Sequence, residues 1–224
     1  MRLLAAIVAT LLISIAGPVL AQEKSTGLSK EKQMTQIAII YYSGWGHTKK
    51  QAEAIHAGAS AVIGTKPQLL AIDPEGNISE LDWQQLDSSD AIIFGSPTYM
   101  GSVSWQFKKF AEQSSKSWGK QLWKNKLAAG FTNSASINGD KAMSLNYIMT
   151  LAMQHGMIWS GTGMLPANNK AAQRNDINYL GSFSGLMAQS PSDANPEEGP
   201  LPGDLETAKL FGKRIAELAL YLKK

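Results

Sequence analysis

Six consecutive residues, Ser43-Gly44-Trp45-Gly46-His47-Thr48, place two hydroxyls, two glycines and an imidazole between an apolar run and a helix-like segment. The run over residues 37–42 is β-branched, aromatic and too short for a helix, so it reads as a buried strand. Beyond Thr48, residues Ala52, Ile55, Ala59 and Val62 recur at helical spacing along one side. Strand, small polar loop and helix start together build an anion cradle. Backbone N–H groups at a helix start lack partners inside the helix, and the helix dipole favours negative charge there. Ser43 and Thr48 add hydroxyl donors, while Gly44 and Gly46 let the backbone come close to a ligand. The loop lacks the Gly-Lys-Ser/Thr ending of a nucleoside-triphosphate loop. It also breaks the G-x-G-x-x-G spacing, because Lys49 stands where the third glycine would be. What remains is a cradle for a phosphate monoester, beside the plainer reading of an ordinary strand-to-helix turn.

Two further loops of similar chemistry follow apolar runs. Residues 90–95 read as a strand covered on both faces, leading into Ser96-Pro97-Thr98-Tyr99-Met100-Gly101 and a helix expected from about Ser102 to Ser115. Residues 127–131 read as another strand, ending in Thr132-Asn133-Ser134-Ala135-Ser136, with Asn138, Gly139 and Asp140 before a helix over 140–154. A second strand is expected over 68–72, a short helix over 79–86, and a fifth strand over 157–160. Residues 161–203 read as irregular, with prolines at 166, 191, 196, 200 and 202; an amphipathic helix is expected over 205–222. Strands alternating with helices imply a parallel sheet with right-handed crossovers, and ligands in such sheets sit beyond the carboxyl ends of the strands. The three polar loops all fall at such ends.

The 224 residues suffice for one well-buried domain, read over 36–224. The net charge of +3 is scattered, with no basic stripe carrying interleaved aromatics, so nucleic acid is not an expected partner. Absence of cysteine excludes disulfides, thiolate metal sites and a cysteine nucleophile. His47, His56 and His155 lack zinc-ligand spacing, and no metal is expected. Residues 1–21 differ in kind: Arg2, an apolar core, Gly17-Pro18 and small residues before Gln22 fit a cleavable secretory signal, with residues 22–35 as a flexible linker. The apolar core is short for a permanent membrane span. Export, to a periplasm, is the resulting expectation. The alternative is a cytoplasmic protein whose translation starts at Met34.

In their shared order, several segments resemble the flavodoxin-like superfamily and, more narrowly, the WrbA-type NAD(P)H:quinone oxidoreductases. They are Tyr41-Tyr42-Ser43 through His47, Asp90 to Gly95 with Pro97-Thr98 and Gly101, Lys126-Leu127-Ala128 leading to Phe131, His155-Gly156-Met157, and Asp204 into the closing helix. The resemblance implies an α/β, doubly wound, five-stranded parallel sheet in the order 2-1-3-4-5 with helices on both faces. It implies FMN as cofactor, NAD(P)H as electron donor, a quinone as acceptor in a two-electron ping-pong cycle, and a homodimer or homotetramer. Ser43, Gly44, Trp45, Gly46, His47 and Thr48 would hold the FMN phosphate. Pro97, Thr98, Tyr99, Met100 and Gly101 would lie against the flavin ring. Thr132, Asn133, Ser134, Ala135 and Ser136, with Asn138, Gly139 and Asp140, would line the ribityl and ring side. Tyr99 and His155 would be the catalytic side chains, with His155 near the flavin, from the same chain or across a subunit contact, where it would help orient a substrate.

The third loop departs from the family in having Asn, Ser and Ala where members carry more glycine. Outside an inner membrane NAD(P)H is not freely available, so an exported member would need another donor. Plainer readings stand beside the functional ones: Trp45 covering the sheet edge, His155 capping a helix end, Asp140 starting one, and Met143, Met149, Met153 and Met157 filling core gaps. Two other functions fit the same loops, a flavodoxin-like electron carrier serving a protein partner and a flavin-free binding module.

Overall fold

A computed structural model of the chain describes residues 33–223. The expected signal and most of the linker lie outside the described residues. The elements run β1 (Thr35–Tyr41), α1 (His47–Ser60), β2 (Thr65–Ala71), α2 (Glu80–Ser88), β3 (Ala91–Tyr99), β4 (Ser102–Val103) and α3 (Trp105–Gln113). They continue with α4 (Ser115–Gly119), β5 (Leu127–Ser134), α5 (Lys141–Gln154), β6 (Ile158–Trp159), β7 (Leu186–Gln189) and α6 (Pro202–Leu222).

The sheet runs β2-β1-β3-β5-β6 with parallel pairing along that path, so the expected flavodoxin-like 2-1-3-4-5 order holds once the hairpin arm β4 is set aside. Alternation along β1 divides the core. Ile37, Ile39 and Tyr41 face α1 and α6, where Ile55, Phe211 and Ile215 are buried. Ala38, Ile40 and Tyr42 face the opposite layer, where Leu86, Phe107, Phe110, Trp123 and Ile148 pack. Both faces are covered over the central strands, which is why residues 37–41 of β1, 91–95 of β3 and 127–131 of β5 are apolar. Among the described residues no helix is long and apolar enough to cross a membrane.

Three local expectations need correction. The fifth strand is not one piece at 157–160. β6 pairs with Leu127 and Ala128 only, and the far half of β5 pairs with β7, whose Leu186 to Gln189 match Phe131 to Ser134. Between them residues 160–185 leave the sheet and return, stitched at the base where the Thr162 N–H donates to the Phe183 carbonyl at 3.0 Å. The helix expected from Ser102 starts at Trp105 instead. Ser102–Val103 folds back on β3 through a two-residue turn at Met100 (φ 47°) and Gly101 (φ 78°), and the Ser104 hydroxyl caps α3 by accepting the Phe107 N–H. Finally, β3 and β5 extend through the polar residues read as loops. They can do so because buried hydroxyls satisfy one another: Thr98 Oγ1 lies 2.8 Å from Thr132 Oγ1 and donates to Ser144 Oγ at 2.7 Å.

Candidate functional site

The carboxyl ends of β1, β3 and β5 enclose a cleft of about 360 Å³ lined by Trp45, His47, Thr48, Pro97, Thr98, Tyr99, Asn133, Ser134 and Ala135, together with Ser190, Pro191 and Ser192. Its volume lies in the range of small-molecule and cofactor sites. Nine of the residues read from the three loops therefore meet around one hollow.

The first wall is the start of α1. Gly46 is its N-cap, in the left-handed conformation at φ 87° and with no side-chain cap. Ser43 Oγ accepts the Lys49 N–H at 3.1 Å, and the Gly46 carbonyl accepts the Lys50 N–H at 3.0 Å. The N–H groups of His47 and Thr48, the first two positions of the helix, find no acceptor among the described residues. Thr48 is 2% exposed and lines the cleft. This is a helix N-terminus with its donors turned toward an open site, the physical requirement for an anion.

The second wall is the end of β3. Tyr99 leaves its ring half in solvent, and its hydroxyl comes so near Gly44 that a Cβ built there would stand 3.0 Å away. Burial, aided by the Tyr42 phenol, pushes the Tyr99 hydroxyl above its usual pKa, so it stays a neutral donor. Trp45 is 76% exposed at the same cleft, offering a second aromatic surface. Met100 and Gly101 form the hairpin turn beyond the cleft, and Met100 is fully exposed.

The third wall is the end of β5. Asn133 Oδ1 accepts from Ser190 Oγ at 3.2 Å, which leaves the amide Nδ2 as its donor group. Thr132 is buried beneath the cleft in the hydroxyl chain with Thr98. Ser136, Asn138, Gly139 and Asp140 follow the wall without lining it; Asp140 has φ 53° and Gly139 φ 55° as the chain turns into α5.

His155 stands apart from this cleft. It closes the far end of α5, its ring stacked 4.2 Å from that of Trp123 at an interplanar angle of 27°, and its Nε2 lies 2.9 Å from Ser114 Oγ. Within one chain His155 does not reach this cleft: the carboxyl end of α5 lies opposite the carboxyl ends of the strands, and there the His155 side chain meets Ser114 and Trp123 and not the terminal carbonyls of the helix. Burial lowers its pKa to about 4 against a small opposing pull from Asp87, so the ring is neutral.

A protein from Pseudomonas aeruginosa described as flavodoxin FldP is 50% identical over 189 residues, covering 84% of this chain and 99% of the relative. A crystal structure of a flavodoxin, WrbA-like protein from Agrobacterium tumefaciens superposes with a TM-score of 0.68 at 44% identity, covering 84% and 98% of the two chains. The chain belongs to the flavodoxin-like, WrbA-type family. A family model described as NADPH-dependent FMN reductase matches residues 79–171 of this WrbA-type chain. An NAD(P)H dehydrogenase (quinone) from Paracoccus denitrificans is 28% identical over 205 residues, covering 84% of the chain and 96% of the relative.

Two parts of this WrbA-type site escaped the sequence reading. Ser190, Pro191 and Ser192 form a fourth wall, and the segment behind them straps the first loop: His47 Nε2 lies 3.0 Å from the Ala194 carbonyl, Pro196 packs on Gly46, and Lys50 pairs with Glu197 at 3.3 Å. The only sequence signal was a serine-proline cluster after the apolar Leu186-Met187-Ala188. The other is a polar frame behind the third loop, made by Lys141 and by the Arg174–Asp204 pair. Arg174 donates to both oxygens of the buried Asp204 at 2.8 and 2.7 Å, and Asp204 Oδ2 accepts the Gln189 N–H at 2.9 Å. The Gln189 amide in turn donates to the Ala135 carbonyl at 2.7 Å, reaching the cleft wall.

Proposed function

We propose that the cleft binds FMN and that the protein is a flavin-dependent oxidoreductase passing electrons from NAD(P)H to a quinone. The observation that carries this reading is the donor set: an uncapped helix start with unpartnered N–H groups at His47 and Thr48, facing the same hollow as the Tyr99 ring and the Asn133 amide. The residues fit the group. The helix start and the Thr48 hydroxyl would hold the phosphate without a lysine. Tyr99, Trp45 and Pro97 would bound the ring, and Asn133 and Ser134 would meet the polar atoms between ring and phosphate. FMN bound there would supply hydride acceptance from the nicotinamide and two-electron donation to the quinone. The chain's own part is to bind, orient and shield. The Thr98–Thr132–Ser144 hydroxyl chain fixes the floor, the strap over 190–197 closes one side, and the neutral Tyr99 hydroxyl offers a hydrogen bond without adding charge.

The named activities of the family match and of the Paracoccus relative support the NAD(P)H and quinone parts of the reading. A second reading, an electron carrier serving a protein partner, is favoured by the flavodoxin name of the 50%-identical relative. One anaerobic experiment separates them. FMN-loaded protein is titrated with NADH or NADPH and then with benzoquinone. Bleaching by the nicotinamide and recovery by the quinone support the oxidoreductase; a flavin that only a partner protein reduces supports the carrier. Failure to quench FMN fluorescence ends both. Export is a separate proposal: N-terminal sequencing of the native protein should read from Gln22, and a start at Met34 or Thr35 refutes it.

A further inference from the structure

The third loop lacks the glycines expected of it, yet its backbone is held by a buried cation. Lys141, the first residue of α5, is fully buried. Its ammonium group donates to Ser134 Oγ at 2.8 Å, to the Ser136 carbonyl at 2.7 Å and to the Ile137 carbonyl at 2.7 Å. Lysine has three donors and no acceptor, so the three bonds complete its coordination. Taking an ammonium group out of water is costly, and a turn needing only to connect β5 to α5 would not require it.

The consequence lies on the other side of each peptide. A trans peptide unit points its C=O and N–H in opposite directions. Drawing the Ser136 and Ile137 carbonyls onto Lys141 therefore turns the N–H groups of Ile137 and Asn138 away from it, outward. Neither N–H finds an acceptor among the described residues, whereas the neighbouring groups do: the Asn138 carbonyl accepts the Lys141 N–H at 3.2 Å, and Asn138 Oδ1 accepts the Asp140 N–H at 3.3 Å. A cation on the carbonyl also polarises the peptide and strengthens its N–H as a donor. The loop is continuous with Asn133, Ser134 and Ala135 of the cleft wall, and its first half is pinned from the other direction by the Gln189 amide on the Ala135 carbonyl.

We propose that Lys141 is a positioning residue that aims the Ile137 and Asn138 N–H groups at an electron-rich, oxygen-bearing edge of the bound cofactor, replacing with a buried charge the backbone freedom of a glycine-rich loop. The proposal rests on the FMN reading above and deepens it. The charged groups facing Lys141 are Asp204 and Arg174, which act on it in opposite senses. Burial brings its pKa down to about 8, so it remains mostly protonated at neutral pH.

The test reads amide hydrogen exchange at Ile137 and Asn138 in the wild-type protein with and without FMN, together with FMN affinity for wild type and Lys141→Met. Expected are at least about tenfold slower exchange of both amides in the complex and an FMN Kd raised about tenfold or more in Lys141→Met. Wild-type protein that quenches FMN fluorescence but leaves these two amides unprotected would overturn the role of Lys141 while leaving the FMN reading standing. Unchanged affinity in a folded Lys141→Met would do the same. Wild-type protein that does not bind FMN would overturn both. The exchange measurement needs no variant, so it decides the matter even if Lys141→Met does not fold.

Discussion

Gly58 on α1 lies directly against Lys209 on α6: a Cβ built on Gly58 would run into the Lys209 carbonyl. The relationship is reciprocal one turn away, where a Cβ on Gly212 of α6 would run into the Ile55 carbonyl of α1. Backbone meets backbone here, and no side-chain rotamer can relieve an added methyl. Gly58→Ala or Gly212→Ala should therefore destabilise the protein by about 1–3 kcal/mol, read as a lowered urea midpoint with an unchanged slope. Because α1 carries the anion cradle at its other end, the same variants should also weaken FMN binding.

Acid should test His155. The Ser114 hydroxyl gives its own proton to the Ala111 carbonyl at 2.7 Å, so at 2.9 Å from the ring it accepts the proton on His155 Nε2. That leaves Nδ1 as a bare, buried acceptor. With a folded pKa of about 4 against the ordinary histidine value of 6.5, the unfolded chain takes up a proton before the folded one does. The stability that neutral His155 permits is whole above pH 6.5 and is lost progressively as pH falls from there through 4, by about 3 kcal/mol in all. Thermal melts over this window should fall more steeply for wild type than for His155→Gln, and parallel curves would refute the assignment.

Arg174 holds residues 160–185 to α6. Replacing it with alanine leaves Asp204 buried without its cation, and should cost about 2–3 kcal/mol, below the full figure for a buried pair because Arg174 reaches solvent. Denaturation should show the loss, and limited proteolysis should cut sooner within 163–185. Asp204→Asn is expected to be milder, since no uncompensated anion remains.

Thr48 tests the phosphate end of the cleft directly. Thr48→Val preserves shape but removes a hydroxyl donor. It should raise the FMN Kd about tenfold, as for a hydrogen bond to a charged group, while moving the melting temperature little. Equal FMN affinity in fluorescence titrations would remove Thr48 from the phosphate site.

Much of this was legible along the chain because it is local. Short apolar runs at 37–42, 91–95 and 127–131 read as covered strands, and their alternation with helices specifies a parallel sheet. Hydroxyl and small residues at the ends of those runs mark three walls of the cleft. The hairpin at Met100-Gly101 was less legible, since a methionine at positive φ is unusual and Ser102-Val103 suits a helix start equally well.

What the amino-acid order determines by itself is thus the layering of the core and the side of the sheet on which chemistry can occur, because burial periodicity and helix-start chemistry act over a few residues. Only the tertiary structure decided the rest. The fifth strand position is filled by two pieces with residues 160–185 between them, a pairing set by β5 and not by the pieces themselves. The fourth wall at Ser190 to Ser192, the removal of His155 to the opposite end of α5, and the buried ammonium of Lys141 all depend on contacts between segments far apart in sequence or on which way a helix points. No local pattern encodes those, since a lysine opening a helix looks the same in sequence whether it meets water or three buried oxygens.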